Sequence, residues 1–203
     1  MSGGLVLLLA ILMLCPIVPD GASAVEGEEN TPAVQADSTA EPSISLALAA
    51  RTEINIVPVP KGEFNAGTAS LKVAVNNATS QEVEGYKIYL KTETSNNSLT
   101  GATLTDRSIQ SITANTTKAS FPNNTWGYSL NRVGTATADT ATYSPVPTTS
   151  TIIDDSTLLT GDYDLIFATK VDTATAPDQY STALVVSAIA EPKVVTTLSS
   201  ITN

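Results

Sequence analysis

The chain has 203 residues, of which 42% are hydrophobic, enough for one good core and therefore one main domain. It has no histidine and one cysteine, Cys15, which excludes a disulfide within the chain, Cys/His zinc sites, histidine acid/base catalysis and Ser-His-Asp triads. What remains is carboxylate, Ser/Lys or tyrosine chemistry, calcium binding, or no chemistry. The net charge of −10 is unevenly placed, because Asp20, Glu26, Glu28, Glu29, Asp37 and Glu41 are six of the 20 acids and precede all ten basic residues. The other fourteen acids face ten bases with no basic patch, which argues against nucleic acid as a partner.

The first element, residues 1–24, runs apolar from Leu5 to Leu14, breaks at Pro16 and Pro19, and ends in Ala22-Ser23-Ala24. This is the pattern of a secretory signal cut after Ala24, although its start carries no Lys or Arg. The run is shorter than the roughly 20 residues that cross a bilayer. Leu14 and Pro16 flank Cys15 where a lipidation signal needs small residues. With Cys15 removed, the exported chain has neither Cys nor His. Residues 25–42 are acidic and poor in large apolar side chains, the composition of a disordered linker.

From Ser43 onward, alternation with a period of two predicts strands divided by turn residues. They are predicted at 43–48, 53–59, 70–76 and 83–93, and then, past a turn-rich stretch, at 108–113 and 125–130. Ser and Thr make up roughly a quarter of the chain, a bias that favours strands. Residues 134–150 have few large apolar groups and are expected to form a long surface connection. Ile152, Ile153, Leu158 and Leu159 supply a further short strand.

The stretch GDYDLIFATKVDTATAPDQYSTALVVSAIA, residues 161–190, reads as a hairpin. Tyr163, Leu165, Phe167, Thr169 and Val171 share the buried face, and Asp162, Asp164, Ile166, Ala168 and Lys170 the wet one. Asp172 and Asp178 sit at the strand ends, and the segment from Tyr180 to Ala190, apolar on both faces, suits a central strand. The expected architecture is all-β: an Ig-like, Greek-key β-sandwich of about eight to ten strands over residues 43–191, with 192–203 a tail or a linker to a further domain.

The order of INIVPVPKGEF, ASLKVAVNNAT and GYKIYL, followed by NTWGYSL, YSPVP, DYDLIFATKVD and QYSTALVVSAIA, covers about residues 43–190. In that order these blocks resemble the secreted, Thr/Ser-rich β-sandwich surface proteins of Saccharibacteria and related ultrasmall bacteria. The resemblance implies an adhesin-like bacterial cell-surface role and supplies no catalytic residues.

Two groups of side chains are candidate sites. Asp154, Asp155, Asp162 and Asp164 could supply oxygens to calcium, which takes six to eight such ligands, or a glycosidase acid/base pair, although their spacing fits no EF-hand loop. Trp126, Tyr128 and Tyr143 could form a sugar-stacking platform, and the competing reading places Trp126 in the core. Asn77, Asn96, Asn115 and Asn123 head Asn-X-Ser/Thr sequons and mark loops. The expected function is a non-enzymatic, secreted cell-surface structural or adhesion module without cofactor or small-molecule substrate. Its partners would be other surface proteins or host or partner-cell glycans, with self-association through an edge strand open to it. A carbohydrate-binding domain is the first alternative, and a carboxylate-dependent glycoside hydrolase the second.

Overall fold

A computed structural model describes residues 5–8, 43–48, 53–56, 61–79 and 82–193. The predicted linker 25–42, most of the predicted signal, residues 57–60 and the tail from 194 lie outside the described residues. Within them the chain is all-β, with one 3-10 turn, Lys118–Ser120, and no helix long and apolar enough to cross a membrane.

Alternation produces the longest strands. In β4 (Glu63–Asn76), Leu71, Val73 and Val75 are buried between exposed Ser70, Lys72 and Asn76. In β5 (Val83–Thr92), Tyr86, Ile88 and Leu90 are inaccessible to solvent. β12 (Thr160–Val171) buries Tyr163, Leu165, Phe167, Thr169 and Val171 on one face, as the period of two predicts. Each such side chain moved out of water contributes roughly 1.5–3 kcal/mol.

β12 lies inside a strongly curled, mixed sheet of seven strands, a half-barrel. On one side of β12 come β4 and then β2 (Ser43–Leu48). On the other come β9 (Thr125–Arg132), β7 (Ser108–Ser111), β6 (Leu99–Gly101) and β13 (Tyr180–Ser181). All neighbours are antiparallel except β7 and β9. A three-stranded antiparallel sheet, in the order β11 (Thr151–Ser156), β5, β14 (Leu184–Pro192), packs its inner face into the hollow. Tyr86, Ile88, Leu90, Leu184 and Val186 thereby join Leu71, Val73, Trp126, Leu165 and Phe167 in one core. Two ribbons complete the fold: β8 (Thr116–Thr117) with β10 (Thr142–Tyr143), and β1 (Leu5–Leu8) with β3 (Glu53–Ile56).

Three expectations are overturned. First, residues 161–190 do not form a hairpin: β12 pairs with β4 and β9 in the large sheet, whereas β14 pairs with β5 in the small one. The connection between them crosses from sheet to sheet. Second, β14 is an edge and not a central strand, with Ile189 54% exposed.

Third, the face of β12 opposite the main core is wet only at its start. Ile166 and Ala168 are buried there in a second core with Ile112, Phe121, Ala141 and Tyr143. The segments before and after β9 fold over the back of the sheet, and Tyr128 and Ser144 exchange backbone hydrogen bonds of 3.2 and 2.7 Å. Part of the predicted surface connection 134–150 is therefore interior, with Ala141, Tyr143 and Val146 no more than 1% exposed. It has few large side chains, and those it has are used as plugs.

Candidate functional site

The four candidate aspartates do not converge. Asp162 lies on the outer face of β12, where its carboxylate meets Lys72 Nζ at 3.1 Å, both groups well exposed. Asp164 is two residues further along that face, in register with Ser70 and Asn131. Asp155 is on the outer face of the small sheet, 3.6 Å from Lys87 Nζ. Asp154 points inward and accepts a 2.5 Å hydrogen bond from Tyr163 Oη. Among the described residues no group of three or more His, Cys, Asp or Glu is placed to hold a metal ion. Asp154 and Asp155 lie on opposite faces of the small sheet, while Asp162 and Asp164 share the outer face of β12.

Asp154 instead ends a polar chain within the main core. Tyr86 Oη and Tyr163 Oη are 2.7 Å apart, and Tyr163 donates onward to Asp154. The guanidinium of Arg132 lies 5.1 Å from the centre of the Tyr163 ring and donates to Ser156 Oγ at 2.8 Å. Burial first, and then the hydrogen bond to Asp154, push the Tyr163 phenol far above its ordinary value. These hydrogen bonds tie β12 to the small sheet. Sequence reading missed Tyr86, Arg132 and Ser156 here. The available clue was Gly161 inside a strand, since an added Cβ would stand 2.0 Å from Tyr86 Oη.

The aromatic candidates are interior. Trp126 is 1% exposed, stacks on Phe167 with centroids 6.4 Å apart, and donates its indole N–H to Asn97 O at 2.8 Å. Tyr128 is 8% exposed. Tyr143 is fully buried on the other side of the sheet, edge-on to Phe64 and Phe121, and burial with nearby Asp139 pushes its phenol up to about 12. None offers a ring face to a sugar, because Trp126 and Tyr128 pack into the main core and Tyr143 into the second. The asparagines of the four sequons are exposed on loops, as expected.

Asp172 and Asp178 are loop clamps at the two ends of the segment that joins β12 to β13. Asp172 accepts from Asn124 Nδ2 at 3.0 Å and Ala174 N at 2.9 Å, while its own N–H donates to Asn124 Oδ1 at 3.0 Å. Asp178 accepts the amides of Thr103 and Leu104, at 3.0 and 2.8 Å, and that of Gln179 at 2.8 Å. Those amides, Leu104 foremost, hold its carboxyl below the ordinary value of 3.8. A lowered carboxyl stabilises the fold above its unfolded pKa, and that contribution is lost as pH falls through the folded pKa. Asp178→Asn is therefore expected to melt below the parent at neutral pH, with the gap constant above about pH 5 and closing in acid. Melting temperatures of both proteins from neutral pH down to about pH 2.5 check it.

Among the described residues the outer face of the small sheet carries two exposed isoleucines. Along β5 the outward positions are Lys87, Tyr89 and Lys91, and along β14 they are Val185, Ser187, Ile189 and Glu191. β11 adds Ile152 opposite Tyr89 and Asp155 opposite Lys87. Ile152 and Ile189 are 48% and 54% exposed, while Lys87 is ion-paired with both Asp155 and Glu191. The Glu191 hydrogen bond is the main reason its ammonium is held above the ordinary lysine value.

No protein-family model matches the chain, and no curated protein is significantly similar to it.

Proposed function

We propose that this chain is a non-enzymatic, exported cell-surface module that works by presenting rigid β-faces to a partner. Its finer architecture in this reading is an Ig-like, Greek-key β-sandwich, akin to the Saccharibacterial surface proteins that its sequence blocks resemble. The observation that carries the reading is the outer face of the β11–β5–β14 sheet, where Ile152 and Ile189 stand exposed beside Tyr89 on strands whose other face is packed. Exposed apolar groups ringed by charge on a rigid support are what a contact surface requires. Export is supported by the apolar N-terminal segment ending in Ala22-Ser23-Ala24.

Surface proteins and glycans are the partner classes of this reading. In the glycan version the stacking ring is Tyr89, because Trp126, Tyr128 and Tyr143 are interior. Fluorescently labelled chain is expected to stay on washed envelopes of the producing cells. The double variant Ile152→Lys, Ile189→Lys is expected to wash off while melting like the parent, since both side chains are half exposed. Equal retention of the two proteins overturns the reading.

A further inference from the structure

Five large apolar side chains are exposed among the described residues, and two of them, Val133 at 55% and Leu158 at 53%, stand at one end of the molecule. There β9 ends at Arg132, β11 ends at Ser156 and β12 begins at Thr160. Ser156 joins the two turns: its Oγ accepts the Arg132 guanidinium at 2.8 Å and the Leu158 amide at 3.2 Å. Val133, next to Arg132, is held by its own N–H, which donates to Asp162 O at 3.0 Å. Turns ordinarily present Gly, Asn, Asp or Ser to water. Here a leucine and a valine take those places on hydrogen-bonded supports.

The described chain also ends here. β14 runs to Pro192 beside Val83, with Glu191 in register with Gly85, and the Lys193 N–H donates to Glu82 O at 2.8 Å. Gly85 lies so close to β11 that a Cβ on it would stand 2.8 Å from Thr157 Cα, the residue before Leu158. With strands about 4.8 Å apart and a rise of about 3.3 Å per residue, Lys193 is therefore roughly 10 to 15 Å from Leu158. Residues 194–203, VVTTLSSITN, follow directly and hold Val194, Val195, Leu198 and Ile201 with no charge. The acidic stretch 25–42, by contrast, carries five carboxylates. An uncharged segment rich in Val, Leu and Ile gains free energy by leaving water, whereas a run of carboxylates does not.

We infer that residues 194–203 fold back over these two turns of their own chain, seating apolar side chains on Leu158 and Val133. Five extended residues reach about 16 Å, which brings Leu198 to Leu158 and leaves Ile201, three residues on, for Val133. The surface is small, and it suffices because the segment is tethered beside it, at an effective concentration of about millimolar or more. A free partner would meet the same two side chains without that advantage. The site is separate from the outer face of the small sheet and does not depend on what that face contacts. Seated there, the segment covers the Arg132–Ser156 hydrogen bond that joins β9 to β11.

Amide hydrogen exchange of the full chain tests this residue by residue. The amides of Val195 to Ile201 are expected to exchange at least about tenfold more slowly than in a free peptide of residues 194–203, at a rate independent of protein concentration. Leu198→Asn with Ile201→Asn, which leaves every described residue unchanged, is expected to return them to the peptide rate. Val133→Asn with Leu158→Asn is expected to do the same while melting like the parent, since both side chains are more than half exposed. Exchange at the peptide rate in the parent overturns the inference. So does protection that survives Val133→Asn with Leu158→Asn, because the segment then docks elsewhere. Protection that rises with concentration also overturns it, because the segment seated on the turns then belongs to another copy.

Discussion

Phe167→Ala is expected to lower the unfolding free energy by roughly 3 to 5 kcal/mol in urea melts. Phe167 is fully buried at the middle of β12, with Tyr128 of β9 and Gly67 of β4 in register on either side, and its ring stacks on Trp126. Truncation removes the transfer energy of a benzyl group and leaves a cavity between two sheets that cannot both close on it. Domains of this size have a margin of about 5 to 15 kcal/mol, and no disulfide is available to compensate. Lys170, on the other face of the same strand, is not the inert control that the alternation suggests. It is partly buried, and its ammonium donates to Phe121 O at 3.2 Å, pinning the segment that covers the second core. Lys72→Ala is the appropriate control, since its exposed pair with Asp162 contributes about 0 to 1 kcal/mol. A Phe167→Ala protein as stable as its parent would overturn the assignment of this strand face to the core.

Gly85→Ala is expected to be as damaging as the loss of a core ring, with a cost of about 3 kcal/mol or more, and to cut the yield of folded protein. Gly85 has φ of +154°, a region that L-residues avoid at a cost of about 1 to 3 kcal/mol. A Cβ there would stand 1.8 Å from Ser156 O and 2.8 Å from Thr157 Cα, both backbone atoms that no rotamer change can move. Relief requires β11 to separate from β5. That separation withdraws Asp154 from Tyr163 and Ser156 from Arg132, so strain and overpacking come with the loss of a buried hydrogen-bonded chain. Ala at Gly134 is the matched control, because its φ of +80° carries backbone strain while no atom lies within 4 Å. The difference between the two variants in urea melts isolates the close approach of β5 and β11. Equal losses would show that backbone conformation alone is responsible.

What the sequence determined by itself is the part of the fold written in short-range alternation. Strands at 43–48, near 70–76, at 83–92 and from Thr125 onward fall close to where period-two patterning puts them, as do the inward side chains of β12. Composition alone excluded disulfides and histidine chemistry, and turn residues placed Asp172 and Asp178 at strand ends, where they cap loops. Very short strands such as β6, β8 and β13 escape this reading, because two or three residues hold no measurable period.

Only the tertiary structure decided which strand pairs with which. β14 follows β12 in the chain, yet its partner is β5, about a hundred residues earlier, and hydropathy carries no label that distinguishes one apolar ladder from another. The second core was hidden for a related reason: Ala141 and Tyr143 are sparse in a polar stretch, and only the path of the chain over the back of β12 makes plugs of them. That path also places Trp126 inside and turns Asp154 and Asp162 to faces of different sheets, so neither candidate site assembled as its residue types suggested. Residue type states what a side chain can do. Which face it meets depends on contacts between strands far apart in sequence, and those are set by the packing of the whole chain.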